Sequence, residues 1–435
     1  MPQDQSSEDC LYLNVWTPAK TSGEKLPVMV WIYGGGFSAG ATSNALYSGE
    51  KLAERGVVVV SIAYRVGPLG FLVHPDLSRE SSASVSGNYG LLDQMAGLDW
   101  VKANIASFGG DPDKVTIFGE SAGGISVSML AASPLARGKF TAAISQSGGS
   151  FGATHSPPLP GENVQRLDQA EKAGAILATK LGGSLASMRA ASPADVLSAA
   201  RGIDGVGWPI MDGHVIPDDQ YRLYSAGKFN RTPILIGFNS DQGALFGGPV
   251  TKAAHEQSVR QRYGPFAEEM LRIFPTNGED GTQASRDLAT DVMFGWHTLA
   301  WARLQAAAKG PPVWLYYFDQ KPPYPSANRL ASAKGAPHAA ELAYVFGRLD
   351  LQTTMPWRAE DRAISDAMIG YWTNFAKTGD PNGPGLPPWP RYMRAGEPAM
   401  VFRGAPQAGV LPDPAHFDVL ERYMAWRRSP EGAQK

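Results

Sequence analysis

The sequence predicts an α/β fold: a mostly parallel central sheet flanked by helices, with helical insertions over the active site. Three observations carry this. Apolar runs of strand length recur along the chain, helical patterns separate them, and glycine-rich turns follow two of the runs at once. Strand–helix alternation of this kind builds a parallel sheet that is buried on both faces.

In order, Leu11, Leu13 and Val15 alternate with their neighbours until Pro18, which reads as a strand. Residues 28–33 (VMVWIY) form an apolar strand that runs into Gly34-Gly35-Gly36, and residues 57–63 (VVVVSIA) form another. Leu91, Leu92, Met95, Leu98, Val101 and Ile105 then recur at helical spacing on one face. Residues 115–118 predict a strand, followed directly by Gly119-Glu120-Ser121-Ala122-Gly123-Gly124 and a helix of small residues. Residues 140–145 predict the next strand. Beyond Gly152 the pattern weakens: 155–160 read as a proline-rich loop and 161–205 as short helices. Residues 234–238 and 313–318 resume the sheet. Residues 362–377 form an amphipathic helix, and 379–391 a Gly/Pro-rich loop. No linker separates independent domains, so residues 1–435 read as one catalytic domain, with insertions roughly within 155–310 covering the site.

Composition removes several function classes. Lys and Arg number 39 against 41 Asp and Glu, without the basic excess of a nucleic-acid binder. No run reaches the roughly 18 apolar residues that a membrane-spanning helix needs. The first ten residues are polar and acidic, unlike a secretory leader. The single cysteine, Cys10, allows no intrachain disulfide and fits a reducing compartment, so the cytoplasm is the favoured location, with secretion open if a signal was removed.

The chemistry concentrates at Gly119-x-Ser121-x-Gly123. A serine on a sharp strand-to-helix turn is lifted above the sheet edge, and glycines two residues to either side avoid a clash. The following helix points its N-terminus at the reacting carbonyl and favours the negative charge that develops there. The bland alternative, a glycine turn with a surface serine, lacks a reason for the strand before and the helix after. Gly34-Gly35-Gly36 supplies backbone donors for an oxyanion hole, assigned to the N–H groups of Gly35 and Gly36, with Ala122 as the third. No Lys-Ser or Lys-Thr follows these glycines, which argues against a phosphate loop.

A base must lie downstream, because the chain order in this arrangement is serine, acid, histidine. Among the seven histidines, His338 follows a late strand and a Pro/Gly loop. His297, with aromatic residues at 294, 296 and 301, reads as a packed helical residue. His214 sits in a turn, and His74, His155 and His255 lie too early or in weak context. Together these residues describe a hydrolase that acts through an acyl-enzyme on Ser121, with His338 moving the proton.

The chain resembles the type-B carboxylesterase/cholinesterase family of the α/β-hydrolase superfamily. The resemblance rests on residues 7–15 (SEDCLYLNV), 33–37 (YGGGF), 64–71 (YRVGPLGF), 87–94 (GNYGLLDQ), 104–112 (NIASFGGDP) and 118–124 (FGESAGG). It continues through 209–213 (PIMDG), 338–347 and 371–382 (YWTNFAKTGDPN). It implies broad hydrolysis of small-molecule carboxylic esters with no cofactor and no metal. It also implies strands upstream of SEDCLYLN that are missing here. Cys10 matches a position that pairs upstream in animal members, so a buried free thiol is expected.

The acid departs from the family pattern. Where Asp-Glu-Gly is expected, the chain reads Asp241-Gln242-Gly243, so a neutral amide stands at the carboxylate's place. Three readings compete. Asp241 substitutes, another carboxylate such as Glu341 or Glu120 serves, or the enzyme is slow. Asp241 is the chosen acid, although adjacent side chains on an extended segment point to opposite sides. Glu120 also reads either as a tuner of the local field or as a buried, hydrogen-bonded carboxyl. Trp208 and Phe246 are candidate pocket residues suited to medium acyl or aryl esters, and equally plausible as core. The rival from another class is a catalytically weak or non-catalytic binding protein on the same fold, favoured only by Gln242. An amidase or thioesterase is the rival within hydrolases.

Overall fold

The computed structural model describes residues 7–154 and 164–434. The proline-rich loop expected at 155–160 lies outside the described residues. Among the described residues nine strands form one sheet: β1 (Leu13–Trp16), β2 (Leu26–Ile32), β3 (Val58–Ile62), β4 (Gly110–Glu120), β5 (Ala142–Gln146), β8 (Ile234–Asn239), β9 (Val313–Phe318), β10 (Pro398–Arg403) and β11 (Ala405–Val410). Two short strands, β6 (Gln165–Arg166) and β7 (Ile210–Met211), pair separately.

The order across the large sheet is β1-β3-β2-β4-β5-β8-β9-β10-β11. The strands from β3 to β10 are mutually parallel, and the two edge strands run antiparallel to their neighbours. The parallel strands are the continuous apolar runs of the sequence; β3, β5, β8 and β9 are buried along their whole length. Burying both faces of a strand demands that run, and helices supply the cover. Tyr89–Asn104, Ala122–Ala132 and Ala359–Thr378 are the helices expected from the periodicity or from the small-residue segment. The hairpin β10–β11 and the helix Pro414–Arg427 have no counterpart in the expected elements. They are weakly patterned: β10 gains its burial by pairing with β9, β11 is a mostly exposed edge strand on β10, and the helix packs on the helices Ala267–Ile273 and Trp296–Ala307.

Two features of the sheet place the site. β2 and β4 are hydrogen-bonded neighbours with Ile32 opposite Gly119, so the loop after β2 and the turn after β4 emerge side by side. β8 and β9 pair at Asn239 and Phe318, which brings the two later loops to the same end. Cys10 is a free thiol as expected, but only half-buried rather than buried. No helix of the described residues is long and apolar enough to cross a membrane.

Candidate active site

Ser121 stands between β4 and the helix Ala122–Ala132 with φ 56° and ψ −125°, a strained conformation for a residue with a side chain. The turn is locked by its packing. A Cβ on Gly123 would lie 2.0 Å from Ile32 O, and one on Gly119 would lie 2.5 Å from Gly123 C. Backbone atoms cannot yield that much, so only glycine fits at either place. Ser121 N–H donates to Gln146 O on the adjacent strand at 2.9 Å, which anchors the turn to the sheet. Gly123→Ala is therefore expected to cost about 3 kcal/mol of stability, read as a lowered urea midpoint.

The loop after β2 presses on this turn: a Cβ on Gly34 would lie 2.7 Å from Glu120 O and 3.0 Å from Ser121 Cβ. Gly35 and Gly36 follow at φ 109° and 61°. Gly35 O accepts from Ser38 N–H and Ala39 N–H, which turns the loop back on itself. Among the described residues, no backbone carbonyl accepts from the N–H groups of Gly35 or Gly36. Ala122 begins its helix, where N–H groups have no partner within the helix. These donors, Ser121 and His338 line one cavity of about 690 Å³.

His338 is buried, and burial pushes its imidazole down to about 3, so the ring is neutral at ordinary pH. It packs against two phenyl rings that also stack on each other, Phe294 with centroids at 4.6 Å and Phe246 at 5.0 Å. Its Nδ1 lies 2.6 Å from Gln242 Oε1. A neutral amide oxygen accepts, so this contact places the proton on Nδ1 and leaves Nε2 with its lone pair. Gln242 is 0 % exposed and its Nε2 has no partner among the described residues.

Asp241, the acid chosen from sequence, does not reach His338. Its Oδ2 accepts from Lys334 N–H at 2.7 Å and Gly335 N–H at 3.4 Å, while its own N–H donates to Ala336 O at 2.9 Å. Ser240 Oγ accepts from Ala336 N–H, and Asn239 Nδ2 donates to Pro337 O. The segment 239–241 thus straps the loop that carries His338. The chain then turns into the short helix Gly243–Phe246 and delivers Gln242 to the ring.

The alternative carboxylates fare no better as partners of Nδ1. Glu120 Oε1 lies 3.2 Å from His338 Nε2, on the other side of the ring. Burial, reinforced by Glu341, pushes the Glu120 carboxyl well above its usual range, which favours the neutral form. Glu341 is held in a separate buried network. Its oxygens accept from Gln146 Nε2 at 3.0 Å and Asn239 Nδ2 at 2.5 Å, and Gln146 Oε1 accepts from Trp372 Nε1.

Trp208 and Phe246 both line the cavity, 37 % and 52 % exposed, and Trp208 packs edge-on against Phe37 at 5.1 Å. Two lining elements were not legible in the sequence. Phe294 belongs to a π-helical stretch, Asp291–Gly295, whose widened turn aims it at His338. The helix Lys252–Arg262 contributes His255, Ser258, Val259 and Arg262. Their helical spacing was a usable signal, but nothing local ties that stripe to residues over a hundred positions away. His297 is the packed residue expected, accepting from Phe151 N–H on Nδ1.

A sequence profile described as the carboxylesterase family matches residues 1–409. The chain is 35% identical over 412 residues to a fumonisin B1 esterase of Sphingopyxis macrogoltabida, covering 90% of this chain and 72% of that protein. It is 37% identical over 409 residues to the para-nitrobenzyl esterase of Bacillus subtilis, covering 89% and 78%. Among solved structures, a carboxylesterase of Geobacillus stearothermophilus superposes with a TM-score of 0.80 at 34% identity, covering 96% of this chain and 87% of that one.

Proposed function

From the premise that the chain belongs to the carboxylesterase family, and is a carboxylic-ester hydrolase on the α/β-hydrolase fold, we propose that Ser121 is its nucleophile and His338 its general base. The observation that carries this is the strained turn at Ser121, opening into the cavity that His338 and the Gly35–Gly36 loop also line.

In this reading His338 Nε2 takes the Ser121 proton as Oγ attacks the ester carbonyl, and returns it to the leaving alcohol. The oxyanion is held by the N–H groups of Gly35, Gly36 and Ala122. Water, activated by the same imidazole, then releases the acid. Gln242 fixes the tautomer through Nδ1 but brings no charge to the imidazolium that forms. Trp208, Phe246 and Phe294 give the cavity an apolar lining suited to medium acyl or aryl esters, the para-nitrobenzyl type included. The insertions within roughly 155–310 act as the cover of a single catalytic domain.

The test is a fluorophosphonate titration during p-nitrophenyl butyrate hydrolysis. One equivalent is expected to abolish turnover and to add its mass to the peptide that contains Ser121. Turnover that survives complete labelling, or a label on another peptide, overturns the assignment.

A further inference from the structure

The helix Lys252–Arg262 presents one stripe to the active-site cavity: His255, Ser258, Val259 and Arg262, at spacings of three, four and seven from the first. Ser285, from the neighbouring helix Thr282–Thr290, faces the same space. The two arginines of that stretch behave differently. Arg260 is paired with both Glu256 and Glu268. Arg262 lines the cavity, and among the described residues no carboxylate stands within ion-pair distance of it.

Arg262 is also the one strongly cationic group in the cavity lining. Burial and Glu341 push Glu120 upward toward its neutral form, and burial holds His338 and His255 low, hence uncharged. Burial pushes the Tyr47 hydroxyl up to about 12 and raises Tyr263 as well. Arg262 is an exposed residue that lines a mostly apolar cavity together with the half-buried Ser258 and Ser285, and a guanidinium so placed can pair with a carboxylate. Its position at the C-terminal end of a helix explains why a cation is tolerated there, but not why it lies in the cavity wall.

We propose that Arg262 forms an anion subsite and that the substrates of this esterase include esters bearing a carboxylate remote from the scissile bond. This rests on the esterase reading above. Two matched pairs test it, one for each side of the ester. On the acyl side these are p-nitrophenyl hydrogen adipate and p-nitrophenyl hexanoate; on the alcohol side, 4-carboxyphenyl hexanoate and phenyl hexanoate. The readout is the ratio of kcat/KM for the anionic ester to that for its neutral partner. In at least one pair, Arg262→Gln is expected to lower that ratio about tenfold, the value of one charge-assisted contact, and Arg262→Glu to lower it further. Ratios that stay unchanged in both pairs overturn the subsite while neutral turnover keeps the esterase reading. A native chain that hydrolyses none of the four esters overturns both.

Discussion

Replacing Ser121 by alanine is expected to lower kcat for p-nitrophenyl butyrate by about 10² in the native chain, a smaller loss than an intact triad would show. In serine proteases with this machinery, losing the serine costs about 10⁶ and losing the acid alone about 10⁴, and the losses do not add. A chain whose imidazole rests on an amide has already forfeited most of the acid's contribution. What remains for the serine to lose is the difference between those two figures. The residual rate reflects the oxyanion donors and binding. Equal turnover in Ser121→Ala and the native chain would exclude Ser121 as the nucleophile.

Gln242→Glu is expected to raise the acylation rate at least about tenfold, with about 10⁴ as the ceiling set by carboxylate-to-amide changes in serine proteases. Three facts motivate it. Gln242 Oε1 already sits 2.6 Å from His338 Nδ1, so the geometry for an acid is in place. Its Nε2 is buried without a partner among the described residues, a group whose removal costs nothing in hydrogen bonding. And the site supplies no other carboxylate to Nδ1, since Asp241 binds the backbone at 334–335 and Glu120 faces Nε2. A charged neighbour also raises the imidazole's affinity for protons. The native chain should keep kcat/KM flat well below pH 6, because burial holds His338 near 3 and the neutral base persists. In Gln242→Glu the acid limb should move up toward the ordinary histidine range. In that background Ser121→Ala should cost more than in the native chain, by the same factor that the glutamate gains. An unchanged rate and an unmoved acid limb would show that the third position contributes nothing here.

Much of the site was legible because its chemistry imposes local grammar. A nucleophile on a strand-to-helix turn requires glycine at 119 and 123, and the distances to Ile32 O and Gly123 C show why no side chain fits. Gly34 is needed because the loop packs against Glu120 O and Ser121, Gly35 because a side chain would strike Ala39 O, and Gly36 suits a backbone with φ 61°. The parallel strands announced themselves as unbroken apolar runs, because both faces are covered. By contrast, β10 carries a mixed pattern whose burial depends on β9, and β11 is a mostly exposed edge strand, so no window of their own sequence reveals either.

By itself, then, the sequence determined the apolar parallel strands, the elbow and which two residues are proposed to move the proton, since each depends on neighbours within a few positions. Only the tertiary structure decided which side chain meets His338 Nδ1. Asp241 and Gln242 are adjacent, and their choice turns on a loop 93 to 96 residues away: Asp241 is consumed in holding Lys334 and Gly335, and the following turn swings Gln242 inward. The same holds for the rings of Phe246 and Phe294 around that histidine and for the placement of Arg262 in the cavity wall. Contacts between segments so far apart are set by packing, and packing leaves no periodic trace in the chain.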